Sequence, residues 1–212
     1  IRRQRQMCIR DSAKVTRQAL INSDQFRIFQ DGLEMEKVAI FVDVQNIFYA
    51  AKQFNARLDF EKLLNVVVGK RRLIRAMAYV VQSPEVAQTG FISMLQQKGY
   101  EVRQKDLRLR SDGSAKGDWD MGMAIDIMEL VDRLDVVVLV TGDGDFVSLL
   151  NLVKTIGPRV EVVSFLHNTA RDLVQSADLH TPIEETLLIR PSAANGPNRD
   201  SPNNHQSLPS QP

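Results

Sequence analysis

Of the 212 residues only one is cysteine, Cys8, and only three are histidine, His167, His180 and His205. One thiol closes no internal disulfide, and scattered histidines give no Cys/His ligand spacing, so structural zinc and thiol chemistry are not expected. Long apolar runs are missing as well. The run Val136-Val137-Val138-Leu139-Val140 falls far short of the roughly 18 residues a membrane helix needs, and no stretch reads as a secretory leader. A strong charge of either sign is absent, because 27 Lys and Arg face 26 Asp and Glu. The expectation is a soluble, cytoplasmic globular chain in which any metal sits on oxygen ligands.

The two ends differ from the middle. The segment Gln6-Met7-Cys8-Ile9-Arg10-Asp11-Ser12 resembles a translated library-preparation adapter. Residues 1–12 hold four arginines and one aspartate, so without them the formal charge changes from +1 to −2 and the cysteine is lost. Residues 1–34 are therefore expected to be a non-native or peripheral extension, and 35–190 the domain. Residues 191–212, rich in Pro, Ser, Asn and Gln with few apolar side chains, cannot repay ordering entropy and are expected to be a disordered tail.

Between the ends, strand and helix periodicities alternate. Val38 to Val42, Leu73 to Val81, Tyr100 to Leu109, Val136 to Val140 and Val160 to Phe165 read as strands. Helical patterns fall at 47–54, 60–68, 86–98, 118–134, 146–156 and 170–176. Strands that are apolar on both faces and alternate with helices predict an α/β fold, a three-layer α/β/α sandwich around a central, mainly parallel sheet.

In such a sheet, ligands bind beyond the carboxyl ends of the strands. The first strand ends in Val42-Asp43-Val44-Gln45-Asn46, and the fourth in Val140-Thr141-Gly142-Asp143-Gly144-Asp145-Phe146, so Asp43, Asp143 and Asp145 are predicted to gather at one edge. Asp143 or Asp145 could equally cap the following helix. Asp120 shares a helical stripe with Met123, Ala124, Ile127, Val131 and Leu134, and a carboxylate on a core stripe is costly unless paired, hydrogen-bonded or bound to a cation. Its place in the first turn directs it to the same edge. By spacing alone, Asp126 belongs to a solvated face beside Glu129 and Arg133. Crowded carboxylates are relieved by a hard divalent cation, and Mg²⁺ or Mn²⁺ suits such oxygen ligands.

The phrases Val38-Ala-Ile-Phe-Val-Asp-Val-Gln-Asn46, Lys116-Gly-Asp-Trp-Asp120 with Asp126 six residues on, and Thr141-Gly-Asp-Gly-Asp-Phe146 resemble the NYN domain in its bacterial LabA-like branch, a subgroup of the PIN-like ribonucleases. The resemblance spans roughly 37–189. It implies a PIN-like sandwich and Mg²⁺- or Mn²⁺-dependent hydrolysis of RNA phosphodiester bonds. It carries the metal site onto Asp43, Asp120, Asp126, Asp143 and Asp145, with Asp43, Asp120 and Asp143 as the catalytic residues, and it makes Asn46 a polar partner of Asp43 on the substrate-binding side. Thr141 stands where many relatives have serine and joins the substrate side.

With RNA as the implied partner, basic residues from Lys70-Arg71-Arg72 through Arg75, Arg103 and Lys105 to Arg108, Arg110 and Lys116 are substrate-binding candidates. Arg108, Arg110 and Lys116 are foremost, with the loop from Arg110 to Lys116 expected to overhang the site. No membrane partner is expected, and self-association is left open. A catalytically weak RNA- or protein-binding regulator of the same fold is the alternative. A phospho-aspartyl protein is disfavoured, since the phosphatases of that class have a second Asp where Gln45 stands.

Overall fold

The computed structural model describes residues 35–82, 88–106, 108–109, 115–116 and 119–190. In chain order the first half runs β1 (Lys37–Asp43), α1 (Val44–Lys52), β2 (Arg57–Leu58), α2 (Phe60–Val68), β3 (Arg72–Gln82), α3 (Thr89–Gln97), β4 (Glu101–Asp106), β5 (Arg108–Leu109) and β6 (Ala115–Lys116). The second half runs α4 (Asp120–Leu130), β7 (Val136–Val140), α5 (Val147–Ile156), β8 (Arg159–Ser164), α6 (Arg171–Ser176), β9 (Leu179–Pro182) and β10 (Leu188–Ile189). Six strands form the central sheet in the order β4-β3-β1-β7-β8-β9, and every neighbouring pair is parallel.

The alternation of side chains along each strand splits the core in two. Val38, Ile40 and Val42 of β1 and Val136, Val138 and Val140 of β7 pack against Ile47, Leu63 and Leu95 of α1, α2 and α3. Ala39, Phe41, Val137 and Leu139 face the other way, onto Met123, Ile127, Leu150, Val153 and Leu173 of α4, α5 and α6. Both faces are covered, so β1 and β7 read as uninterrupted apolar runs rather than alternating ones. Each fully buried Val or Leu contributes roughly 1.5–3 kcal/mol over its exposed state.

This is the α/β/α sandwich the sequence predicts, with four differences. A sixth strand, β9, joins the sheet beside β8. The strand expected over 100–109 ends at Asp106, and Arg108–Leu109 instead pairs antiparallel with Ala115–Lys116. The short β2 and β10 make a separate antiparallel pair. The helix expected from Asp118 begins at Asp120, and α5 stops at Gly157, whose φ of 139° lies where glycine is favoured. Residues 1–34 and 191–212 lie outside the described residues.

Two features of the frame bear on function. The helix after β1 lies on one face and the helix after β7 on the other, so the two connections diverge and leave a crevice beyond the carboxyl ends of these neighbouring strands. Toward the opposite end of β8 the buried Glu161 is neutralised by Arg71 at 2.8 Å and Arg159 at 3.0 Å, and Arg159 also reaches Glu36 at 2.8 Å.

Candidate functional site

The crevice beyond β1 and β7 is built from two short acidic loops. Asp43 ends β1 and caps α1, its Oδ1 accepting the Asn46 N–H at 3.0 Å. Such a cap satisfies one of the amides that a helix start leaves unpaired. Asp143 follows β7 and caps the tight turn Gly144–Phe146, accepting the Asp145 N–H at 3.0 Å. Thr141 links the two loops: its hydroxyl accepts the Asp143 N–H at 3.2 Å and donates to the Asp43 carboxylate. The Asn46 side chain adds a second link, accepting the Gly142 N–H at 3.0 Å.

Asp120 enters from α4, on the other side of the crevice. Trp119 fixes the start of that helix by donating its indole N–H to the Val80 carbonyl at 3.0 Å and by lying against Gly122, where an added Cβ would come within 2.6 Å of the indole ring. One carboxylate oxygen from each of Asp120, Asp143 and Asp145 falls within 4.8 Å of the others. Asp120 and Asp143 are half-buried, and Asp145 is exposed. Burial, and next to it the charge of Asp143, raises the Asp43 carboxyl above its ordinary value of 3.8, although the hydrogen bonds from Asn46, Gln45 and Thr141 oppose the shift. A fourth carboxylate thus feels the charge of one member of the trio, Asp143. Hard carboxylate oxygens without nitrogen or sulfur are the donor set that Mg²⁺ and Mn²⁺ take, so the residues present fit a divalent cation.

Asp126 does not join this trio. One and a half turns along α4, its carboxylate accepts the Tyr79 hydroxyl at 2.8 Å and pairs with Arg103 at 3.3 Å. It is half-buried rather than solvated, and burial with this hydrogen bond raises the Tyr79 phenol well above its usual range. Thr141, expected on the substrate side, is fully buried, so its role here is to orient Asp43 and Asp143. Among the basic candidates, Arg71 pairs with Glu161, Arg75 with Glu101 and Arg103 with Asp126. The Lys105 ammonium lies 5.5 Å from the centre of the Trp119 ring. Arg108 and Lys116 are opposite one another in the β5–β6 pair, and Arg110 lies outside the described residues.

The spacing of residues 140–146 gave no sign of one further part. Gly142 is so closely approached by the 168–169 backbone that a Cβ there would stand 2.1 Å from the Asn168 carbonyl oxygen. Its own carbonyl accepts the Ala170 N–H at 3.0 Å. The acidic loop after β7 is therefore seated directly on the loop after β8.

Residues 37–184 match the NYN domain model. The chain belongs to the NYN domain family. NYN domains are part of the PIN-like nuclease superfamily. Over 157 residues this NYN domain protein is 29% identical to the low amplitude and bright protein LabA of Synechococcus elongatus, a match covering 70% of this chain and 84% of LabA. It is also similar to a protein of unknown function from Vibrio parahaemolyticus whose crystal structure is 34% identical with a TM-score of 0.70, covering 74% of this chain and 98% of that one. No helix among the described residues is long and apolar enough to cross a membrane.

Proposed function

We propose that this NYN domain is a metal-dependent ribonuclease that hydrolyses RNA phosphodiester bonds in the crevice beyond β1 and β7. The observation that carries the proposal is the convergence of Asp120, Asp143 and Asp145, from two separate elements, at the point where the connections diverge, with Asp43 held against Asp143 by Thr141. Such a cluster is costly without a counter-charge. A bound Mg²⁺ or Mn²⁺ would supply charge neutralisation for a phosphodiester and lower the pKa of a coordinated water.

The chain's own part is positioning. Asp120, Asp143 and Asp145 offer converging oxygens, and Asp43 stands within reach of the Asp143 charge. Asp43 is thereby placed to steady the Asp143 loop and, when protonated, to hold a proton near it. Asn46 and Thr141 lock the two loops together, so the acidic groups keep their spacing when a charged backbone approaches. Asp126 holds the neighbouring Tyr79 and Arg103, outside the trio. The β5–β6 pair carrying Arg108 and Lys116 is, together with Arg110, the proposed grip on the RNA backbone.

The test is incubation of single-stranded and structured RNA with the purified chain in Mg²⁺, in Mn²⁺ and in chelator. Cleavage is expected with either ion and not in chelator, and Asp120→Asn and Asp143→Asn are expected to abolish it while melting as cooperatively as wild type. Cleavage that persists in both variants would overturn the proposal.

A further inference from the structure

A second concave feature lies on the same edge of the sheet. Beyond the carboxyl ends of β8 and β9 is a cleft of about 480 Å³ whose wall includes Phe54, Phe165, Leu166, His167, Ile183 and Glu184. Phe165 is buried and forms the floor, whereas Phe54 is 41% and Leu166 is 68% exposed. The Phe54 ring stacks on Phe165 with centroids 5.9 Å apart and planes 19° from parallel. The His167 ring meets Phe54 edge-on at 4.5 Å. A half-open aromatic stack at the mouth of a cleft offers a flat apolar face to an incoming ring. The Glu184 carboxylate at the rim is an acceptor with no hydrogen to give.

The cleft is mechanically part of the acidic site. Asn168 and Ala170, in the same loop as Leu166 and His167, hold Gly142 as described above. That loop is stiffened from within: Thr169 donates to the Phe165 carbonyl at 2.6 Å and its hydroxyl lies 2.7 Å from Ser164 Oγ. Strands in a sheet are about 4.8 Å apart, so the ends of β8 and β9 stand roughly 5 and 10 Å from the end of β7, within reach of the nucleotides next to a bound phosphate.

Resting on the ribonuclease reading above, we propose that this cleft holds one nucleobase of the RNA, stacked on Phe54 and flanked by His167. Stacking on aromatic side chains is the general means of holding unpaired bases. Charge decides the orientation. The rim carboxylate repels phosphate but accepts from an exocyclic amino group, as Glu does from cytosine N4, so the base turns inward and the backbone stays toward the crevice. The site therefore takes single-stranded RNA and favours an amino-bearing base.

The test uses the full chain carrying Asp143→Asn, so that RNA is not consumed, and a set of short single-stranded RNAs with one abasic nucleotide at each successive position. Binding is read by fluorescence anisotropy, and kcat/KM of the wild-type chain on the same RNAs is read in parallel. One abasic position is expected to weaken binding about tenfold, a typical cost of one lost stack. Adding Phe54→Leu, which keeps apolar volume without a ring, is expected to weaken binding of intact RNA by the same factor and to erase the penalty at that position. His167→Ala is expected to act in the same direction at the same position.

Equal tolerance of abasic nucleotides everywhere would overturn the inference. So would a Phe54→Leu effect equal on intact and abasic RNA, or a change in molecular mass with Phe54→Leu, which would assign the cleft to a second copy of the chain. If the wild-type chain cleaves RNA but the abasic scan is flat, only this inference fails. If it neither binds nor cleaves RNA, the ribonuclease reading fails and takes the inference with it.

Discussion

Asn46 and Gly142, 96 positions apart in the chain, are joined by a hydrogen bond of 3.0 Å between the side-chain oxygen of the first and the backbone N–H of the second. It fastens the loop after β1 to the loop after β7. Removing the acceptor leaves the Gly142 amide buried and unpaired, which costs about 1–3 kcal/mol. Asn46→Ala is expected to lower stability by that amount in denaturant titration and to lower RNA cleavage more steeply than stability alone explains, since the two acidic loops lose their common register. Asn46→Asp keeps the acceptor but adds a carboxylate beside Asp43, so its recovery should be partial in chelator and larger with a divalent cation.

Divalent cations should stabilise folding, because the carboxylates of Asp120, Asp143 and Asp145 converge only in the folded chain. At a free concentration about a hundred times its dissociation constant, a cation adds roughly 2.7 kcal/mol. Melting curves in increasing Mg²⁺ and Mn²⁺ should shift upward, with Mn²⁺ effective at lower concentration. Asp120→Asn and Asp143→Asn should blunt the shift. Asp126→Asn should leave most of it, because that carboxylate is engaged with Tyr79 and Arg103.

Asp43 is raised above 3.8 by burial and then by Asp143, so without metal the folded chain binds this proton more tightly than the unfolded chain does. Its contribution to stability is complete below pH 3.8 and is lost as pH rises through the shifted value. At neutral pH, Asp43→Asn should therefore raise the metal-free melting temperature while retaining a helix cap, since Asn caps about as well as Asp. A melting temperature below wild type in chelator would contradict this.

The close approach at Gly142 predicts intolerance of even one carbon. A Cβ 2.1 Å from the Asn168 oxygen forces the backbone of one loop to move, and overpacking of this kind costs about 1–3 kcal/mol. Gly142→Ala should lose stability in that range and displace Asp143, so cleavage should fall further than for an alanine of equal stability cost elsewhere. Gly90, with nothing within 4 Å of its added Cβ, is the control: Gly90→Ala should leave cleavage intact and be neutral to stabilising.

His180 supplies a pH test remote from metal. Its ring nitrogen lies 2.9 Å from Ser164 Oγ, and burial lowers its pKa below 6.5. The unfolded chain then takes up the proton first, so this group's contribution is present above pH 6.5 and is lost as pH falls through the lowered value. Melting temperature measured from pH 7.5 downward should decline from about 6.5, and His180→Gln should flatten that part of the profile.

Much of this was legible in the sequence because the physics is local. β1 and β7 carry apolar side chains on both faces, which alone marks strands between two layers of helices. Their carboxyl ends carry Asp43 and Asp143, so the rule for ligand sites in parallel sheets locates the crevice without coordinates. The Asp120 stripe on α4 was legible for the same reason. β9 was not: Leu179-His180-Thr181-Pro182 is short, half-exposed and ends in proline, as an edge strand can, and shows no alternation. Nor was the place of Asp126, because its partner Tyr79 lies on β3, and only the stacking of α4 on that strand brings them together. The aromatic cleft was hidden likewise, since Phe54 and Phe165 meet through packing rather than spacing.

Parallel pairing of β1 with β7 separates the acidic groups in time as well as in sequence. The Lys37 N–H that opens β1 bonds to Asp135, 98 positions later, and Asp43 waits equally long for Thr141 and Asp143. At a synthesis rate of about 5–20 residues per second, Asp43 is made roughly 5–20 s before Asp143 exists. Any chain that ends ahead of β7 has the opening strand and helix, but no place where the carboxylates meet. On the ribonuclease reading, a nascent or truncated product should leave RNA uncut, and competence should arrive only when β7 has entered the sheet.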